Sequence, residues 1–145
     1  MRKKTILLVE DNLDDEALTL RALKRHNVAN EVIVARDGTQ ALDYLFRAAD
    51  GCAGGVATLP ELVLLDIKLP GIDGLEVLRR LRQDPRTRRL PVVMLTSSVE
   101  ESDRLASYDL GANSYVRKPV DFVEFSEAIR QVDLYWLVLN VASPR

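Results

Sequence analysis

The chain has one cysteine, one histidine and one tryptophan among its 145 residues. It also has no apolar run approaching the roughly 20 residues of a membrane span. Each scarcity excludes something. Cys52, set among Gly51, Gly54 and Gly55, cannot close an internal disulfide. An inert loop thiol and a reducing cytoplasm are the expected role and setting. One histidine and one cysteine are too few for a zinc centre. His26, beside Arg25 at a helix end, reads as a partner for the negative end of the helix dipole. Neither G-x-x-x-x-G-K-[ST] nor G-x-G-x-x-G occurs, so the common phosphate-cradling loops are missing. Met1-Arg2-Lys3-Lys4 has the charge of a signal-peptide start, but the apolar run Ile6 to Val9 behind it is too short and ends in Glu10-Asp11. Charge of one sign is lacking too: 20 basic against 22 acidic residues. The densest basic stretch, Arg79 to Arg89, is interrupted by Asp84 and Pro85 and reads as a solvated helix end and loop, not a nucleic-acid patch.

What is present is an alternation of short apolar runs and helical patterns. Strands are predicted at Ile6–Val9, Val32–Val34, Leu62–Leu65, Pro91–Leu95 and Tyr115–Val116. Between them, helices are predicted over Leu13–His26, Thr39–Arg47, Leu75–Arg82 and Glu100–Leu110, the last stopped by Gly111. The first helix carries Leu13, Ala17, Leu20 and Leu23 as its apolar face. Asp121 is positioned to cap a final helix running to about Leu139. The first, third and fourth strands are apolar on both faces, as central strands of a parallel sheet must be. Five such repeats predict one α/β domain over residues 1–145, a doubly wound five-stranded parallel sheet of flavodoxin-like order 2-1-3-4-5. The one long loop, Ala48 to Pro60, has a glycine-rich centre that reads as slack.

In open α/β sheets, ligands bind beyond the carboxyl ends of the strands. There stand Glu10 and Asp11, then Asp66, then Thr96, Ser97 and Ser98, then Lys118 and Pro119. Three carboxylates held together repel one another unless a cation joins them. Mg²⁺ suits a few carboxylates plus water and phosphate oxygens, and Lys118 adds a second positive charge. A hydroxyl, an ammonium and a metal facing a carboxylate nucleophile are equipment for phosphoryl transfer, with Asp66 as the nucleophile.

Four motifs stand in order at strand ends: Val9-Glu10-Asp11-Asn12, Leu64 to Gly74 around Asp66, Leu95-Thr96-Ser97-Ser98, and Ser114-Tyr115-Val116-Arg117-Lys118-Pro119. With them the whole chain resembles the receiver domains of two-component response regulators. The resemblance implies that Asp66 is phosphorylated by a histidine on a partner kinase. It implies that Glu10 and Asp11 are the acidic pair of a Mg²⁺ site, with Asp66 and the backbone carbonyl of Lys68 as further ligands. It makes Thr96 and Lys118 the partners of phosphoryl oxygens, and Tyr115 the aromatic whose rotamer follows the Thr96 hydroxyl. It implies a cis Lys118–Pro119 bond. Lys68 and Ser98, two positions beyond Asp66 and Thr96, are where the family tunes phosphoryl lifetime. The resemblance implies a signalling phosphoacceptor, not an enzyme beyond its own phosphorylation and dephosphorylation.

The end of the chain carries a separate message. Phe122, Phe125, Ile129 and Val132 make one helical stripe, but Leu134 to Val141 is apolar on every side. One domain cannot cover all of it, so a homodimer through the last helix and tail (about 121–145) is expected, with the kinase as the other candidate partner. This ending and the long loop are similar to the small response regulators of phytochrome-type histidine kinases. No nucleic-acid or membrane partner is expected. Three rival readings each make a demand on the sequence. A haloacid-dehalogenase-like phosphatase needs an acid two residues after its nucleophile, where this chain has Lys68. A flavodoxin needs a phosphate-cradling first loop, where this chain presents Glu10, Asp11, Asp14 and Asp15. A degenerate receiver acting only as an interaction module would have lost a key residue, and none is missing.

Overall fold

The computed structural model describes residues 5–25, 31–51, 59–96, 106, 108–118, 123–128 and 130. Its elements are β1 (Thr5–Val9), α1 (Leu13–Arg25), β2 (Glu31–Ala35), α2 (Gly38–Asp50), β3 (Leu62–Asp66), α3 (Gly74–Gln83), β4 (Val92–Thr96) and β5 (Ser114–Arg117). Helical turns also occupy residues 123–128. The five strands form one parallel sheet in the order β2-β1-β3-β4-β5. This is the order expected from the alternation of elements.

Alternation along the strands builds two cores, one per sheet face. Leu7, Val9, Val63, Leu65, Val92 and Met94 pack with Ala41, Leu42 and Leu45 of α2 and Val77, Leu78 and Leu81 of α3. Ile6, Leu8, Leu62, Leu64, Val93, Leu95 and Val116 pack with Ala22 and Leu23 of α1 and with Phe125 and Ala128. Every residue of β3 and β4 is buried, which is why neither strand shows a polar alternation. Among the described residues, no helix is long and apolar enough to cross a membrane.

Two details differ from the sequence reading. In α1 the buried residues are Thr19, Ala22 and Leu23, whereas Leu13 is 67% exposed and Ala17 is exposed. The helix meets the sheet through its second half, so its first apolar residues face outward. In α2 the helix runs three residues past Arg47. Asp37 caps its start by accepting from the Gln40 N–H at 2.8 Å. Ala48 and Ala49 extend it, and Gly51 ends it in the left-handed conformation, φ 66°, donating back to the Ala48 carbonyl. The basic stretch Arg79 to Arg89, at the end of α3 and in the loop after it, is solvated as expected, and several of its arginines are ion-paired. Arg79 and Arg80 bind Glu76, and Arg86 binds Asp84 and Asp50. Gly111, φ 97°, does end the helical turn before β5. Cys52, His26, Ser97, Ser98, Pro119, Asp121 and the tail from 131 lie outside the described residues.

Candidate functional site

The register of the sheet brings the predicted residues to one edge. Val9 pairs with Leu65, so the next residues, Glu10 and Asp66, fall side by side as the chain leaves β1 and β3. Asp66 pairs with Leu95, and Thr96 with Arg117, which sets Lys118 one step beyond β5. The Glu10 N–H donates to the Ala35 carbonyl at 2.9 Å, and the Lys118 N–H to the Thr96 carbonyl at 2.7 Å. These bonds extend the ladder one rung and fix both side chains in place. Glu10, Asp66 and Lys118 share the parity of Leu8, Leu64 and Val116, so the pleat turns them toward the α1 face. Thr96 and Tyr115 share the opposite parity, that of Met94.

Lys118 is the centre of the arrangement. Its ammonium lies 3.0 and 3.1 Å from the Glu10 carboxylate oxygens and 3.2 Å from Asp66 Oδ2. Asp15 Oδ2, from the first turn of α1, is 2.7 Å away. Glu10 is fully buried, and Asp66, Thr96 and Lys118 nearly so. The other Asp66 oxygen accepts from the Lys68 N–H at 3.3 Å. Carboxylate oxygens of Glu10, Asp11 and Asp66 lie within 4.8 Å of one another.

The electrostatics follow from one ammonium among several acids. Burial pushes the Glu10 carboxyl up to about 7, against the pull of its Lys118 hydrogen bond and with the Asp66 charge adding to the rise. Burial also raises Asp66, opposed by the Lys118 charge and by its hydrogen bonds. For Lys118, burial works against the charged form, but hydrogen bonds to Asp15 and Glu10 outweigh it and hold the ammonium above its usual range. The site therefore keeps its lysine charged and remains short of positive charge. Hard carboxylate oxygens in this number suit Mg²⁺ or Mn²⁺.

The loop after β3 is shaped around Asp66. A Cβ on Gly74 would stand 2.1 Å from the Asp66 carbonyl oxygen, so the start of α3 reaches that strand end only with glycine here. The Gly74 N–H donates to the Ile67 carbonyl at 2.9 Å, and Asp73 caps α3 by accepting from the Glu76 N–H. The capping acid is thus Asp73, and Asp66 is left for the site. Tyr115 is half-buried and meets Tyr108 edge to face, with ring centres 5.7 Å apart and planes at 81°. Both rings line a cavity of about 450 Å³ with Val123, Glu124 and Ala128. Glu10, Asp11, Asp66, Thr96 and Lys118, the residues singled out from the sequence, all stand at the carboxyl ends of the strands. The sequence reading gave Asp15 no place at Lys118. Its only sequence signal was the acidic first turn Asp14-Asp15-Glu16, which the helix dipole explains equally well.

A parallel sheet of this order, with Glu10 just beyond β1, Asp66 ending β3 and Lys118 just beyond β5, has the strand-end pattern of a signalling receiver domain. Residues 6–130 match the response regulator receiver domain, and the chain belongs to that family. Members of the family are signalling proteins that bind a divalent metal. The chain is 49% identical to the bacteriophytochrome response regulator AtBRR, whose structure covers 97% of this chain and 99% of that one with a TM-score of 0.80. It is 37% identical to the response regulator Rcp1 of Synechocystis sp., over 92% of this chain and 89% of that protein. The Mn²⁺-bound form of Rcp1 superimposes with a TM-score of 0.70 over 92% of this chain and 94% of that one. The phosphorylated cyanobacterial phytochrome response regulator RcpA is 38% identical, with a TM-score of 0.75 over 94% and 95% of the two chains.

Proposed function

We propose that this chain accepts a phosphoryl group on Asp66 from a histidine of a partner kinase, in a Mg²⁺-dependent reaction, and signals by a conformational change and protein contacts. The observation that carries this is the buried Asp66 carboxylate with the Lys118 ammonium 3.2 Å away and two more carboxylates within reach of a shared cation. An Asp66 oxygen attacks the phosphorus. The new P–O bond forms as the P–N bond breaks, and the departing imidazole nitrogen keeps the electron pair. Lys118 pairs with one phosphoryl oxygen and the Thr96 hydroxyl donates to another. Asp11, Asp66 and the backbone carbonyl of Lys68 would hold the Mg²⁺, with Glu10 as the other member of the acidic pair. The ion, when bound, offsets the carboxylate charge and that of the incoming phosphoryl group. Water attack on the phosphorus reverses the modification, so the chain's only catalysis concerns its own phosphoryl group.

Tyr115 is the relay to the outside. It stands on the same sheet face as Thr96 and against Tyr108, so a turn of the hydroxyl toward the phosphoryl group opens space for the ring. Residues 1–145 act as one receiver unit in the cytoplasm. The last helix and tail (about 121–145) form the contact with a second copy of the chain. The kinase is of the phytochrome type, a reading supported by the likeness to AtBRR, RcpA and Rcp1. Phosphotransfer profiling tests it: the chain is mixed with a panel of autophosphorylated histidine kinases from its own genome. Label should move fastest from a phytochrome-type kinase and not at all onto Asp66→Asn. Transfer only from kinases of other classes would overturn the assignment of partner.

A further inference from the structure

We propose that Asp15 is a positioning residue of this site, one that holds the Lys118 ammonium in the unphosphorylated protein and lets it go when the phosphoryl group arrives. The inference rests on the reading of Asp66 as phosphoacceptor. Of the oxygens around Lys118 Nζ, the nearest is not from the buried pair. Asp15 lies at 2.7 Å, Glu10 at 3.0 Å and Asp66 at 3.2 Å. An ammonium has three hydrogens, so it cannot serve three carboxylates and a phosphoryl oxygen together. One partner must be surrendered. A carboxylate left alone at Glu10 or Asp66 stays out of water, where an unpaired charge is costly. The Asp15 side chain keeps 29% of its surface exposed and hydrates on release. Asp15 is therefore the partner given up at least cost.

Asp15 is also held where it can do this. Its N–H donates to Asn12 Oδ1 at 3.0 Å, which caps the first turn of α1. Its neighbour Glu16 is ion-paired with Arg36, just beyond β2. The first turn is thus anchored on the β2 side, and the Asp15–Lys118 pair ties it to the end of β5. Phosphorylation unties that link. Two consequences follow for the resting protein. The ammonium sits nearer to Asp15 (2.7 Å) than to the acceptor Asp66 (3.2 Å), and a negative charge stands close to where the phosphoryl group must sit.

Asp15→Asn keeps the shape of the side chain and removes the charge. Beryllofluoride, a phosphoryl mimic, is titrated with Mg²⁺ into the full chain, and Mg²⁺ is titrated alone. Asp15→Asn and Asp15→Ala should bind beryllofluoride about fivefold more tightly than the unsubstituted chain. Both should bind Mg²⁺ alone no more tightly, because an anion near the metal has been lost. Asp15→Glu should restore the original beryllofluoride affinity. In a Lys118→Ala background the gain should vanish. Unchanged or weaker beryllofluoride binding in both Asp15 variants would overturn the proposal, as would an equal gain without Lys118. Failure of the unsubstituted chain to bind the mimic at all would instead overturn the phosphoacceptor reading on which it rests.

Discussion

Replacing Lys118 with alanine removes the one ammonium among Glu10, Asp15 and Asp66. Breaking a buried ion pair by deleting one partner costs about 3–5 kcal/mol, because the other charge stays buried and alone. Here the loss is capped by protonation. Burial already lifts the Glu10 carboxyl to about 7, and without the lysine it rises further. The sign follows directly. An acid whose folded pKa is raised adds stability below its unfolded value, and that stability is lost as pH rises through the folded value. The metal-free variant should therefore be least affected near pH 5–6 and most affected near pH 8. At pH 8 a loss of about 3 kcal/mol corresponds to a fall in Tm of roughly 10 °C for a chain of this length. Melting followed by circular dichroism in chelator, at pH 5.5 and pH 8, measures it. Millimolar Mg²⁺ should recover much of the loss at pH 8, since the ion replaces the missing charge, and Mg²⁺ affinity should not weaken. A variant as stable as the original chain at pH 8, or one hurt more at pH 5.5, would refute the reasoning. So would a large loss of Mg²⁺ affinity.

Gly74→Ala places a methyl group 2.1 Å from the Asp66 carbonyl oxygen, which has no flexible side chain to yield. It should cost about 1–3 kcal/mol by urea unfolding and should weaken Mg²⁺ binding, because the loop carrying Lys68 must shift. The sequence from Leu134 to Val141 contains Tyr135, Trp136 and several aliphatic residues. Leaving several of them in water forgoes several kcal/mol at about 25 cal/mol per Å². Light scattering at tens of micromolar should find a dimer for the intact chain and a monomer for one truncated after Asp133. A monomeric intact chain would defeat the dimer and point to the kinase as the tail's partner; an unchanged dimer in a folded truncation would move the interface elsewhere.

The sheet was legible because its signal is physical and local. Four apolar residues running into an acid, as at Leu62 to Asp66, have few explanations other than a buried parallel strand with its end at a site. Glu10, Asp66 and Thr96 were legible because each directly follows such a run, and Lys118 because a lysine followed by Pro119 stands after the last short strand. The exposed half of α1 was misread because periodicity fixes which residues share a face but not how far along the helix that face meets the sheet. Leu13 obeys the period and is exposed. The end of α2 was set too early because Ala48 and Ala49 are neutral in pattern, and only the left-handed Gly51 marks the true stop. Asp15 was missed for a different reason. Its partner is far away in sequence, and an acidic first turn is equally at home on any helix.

On this reading Asp66 is the phosphoacceptor and Mg²⁺ is required. Intact-protein mass spectrometry after incubation with acetyl phosphate tests it most directly. With Mg²⁺ the chain should gain one phosphoryl group, and peptide mapping should place it on Asp66. The gain should disappear in chelator and in Asp66→Asn. Equal labelling of Asp66→Asn, or labelling that ignores Mg²⁺, would contradict the account.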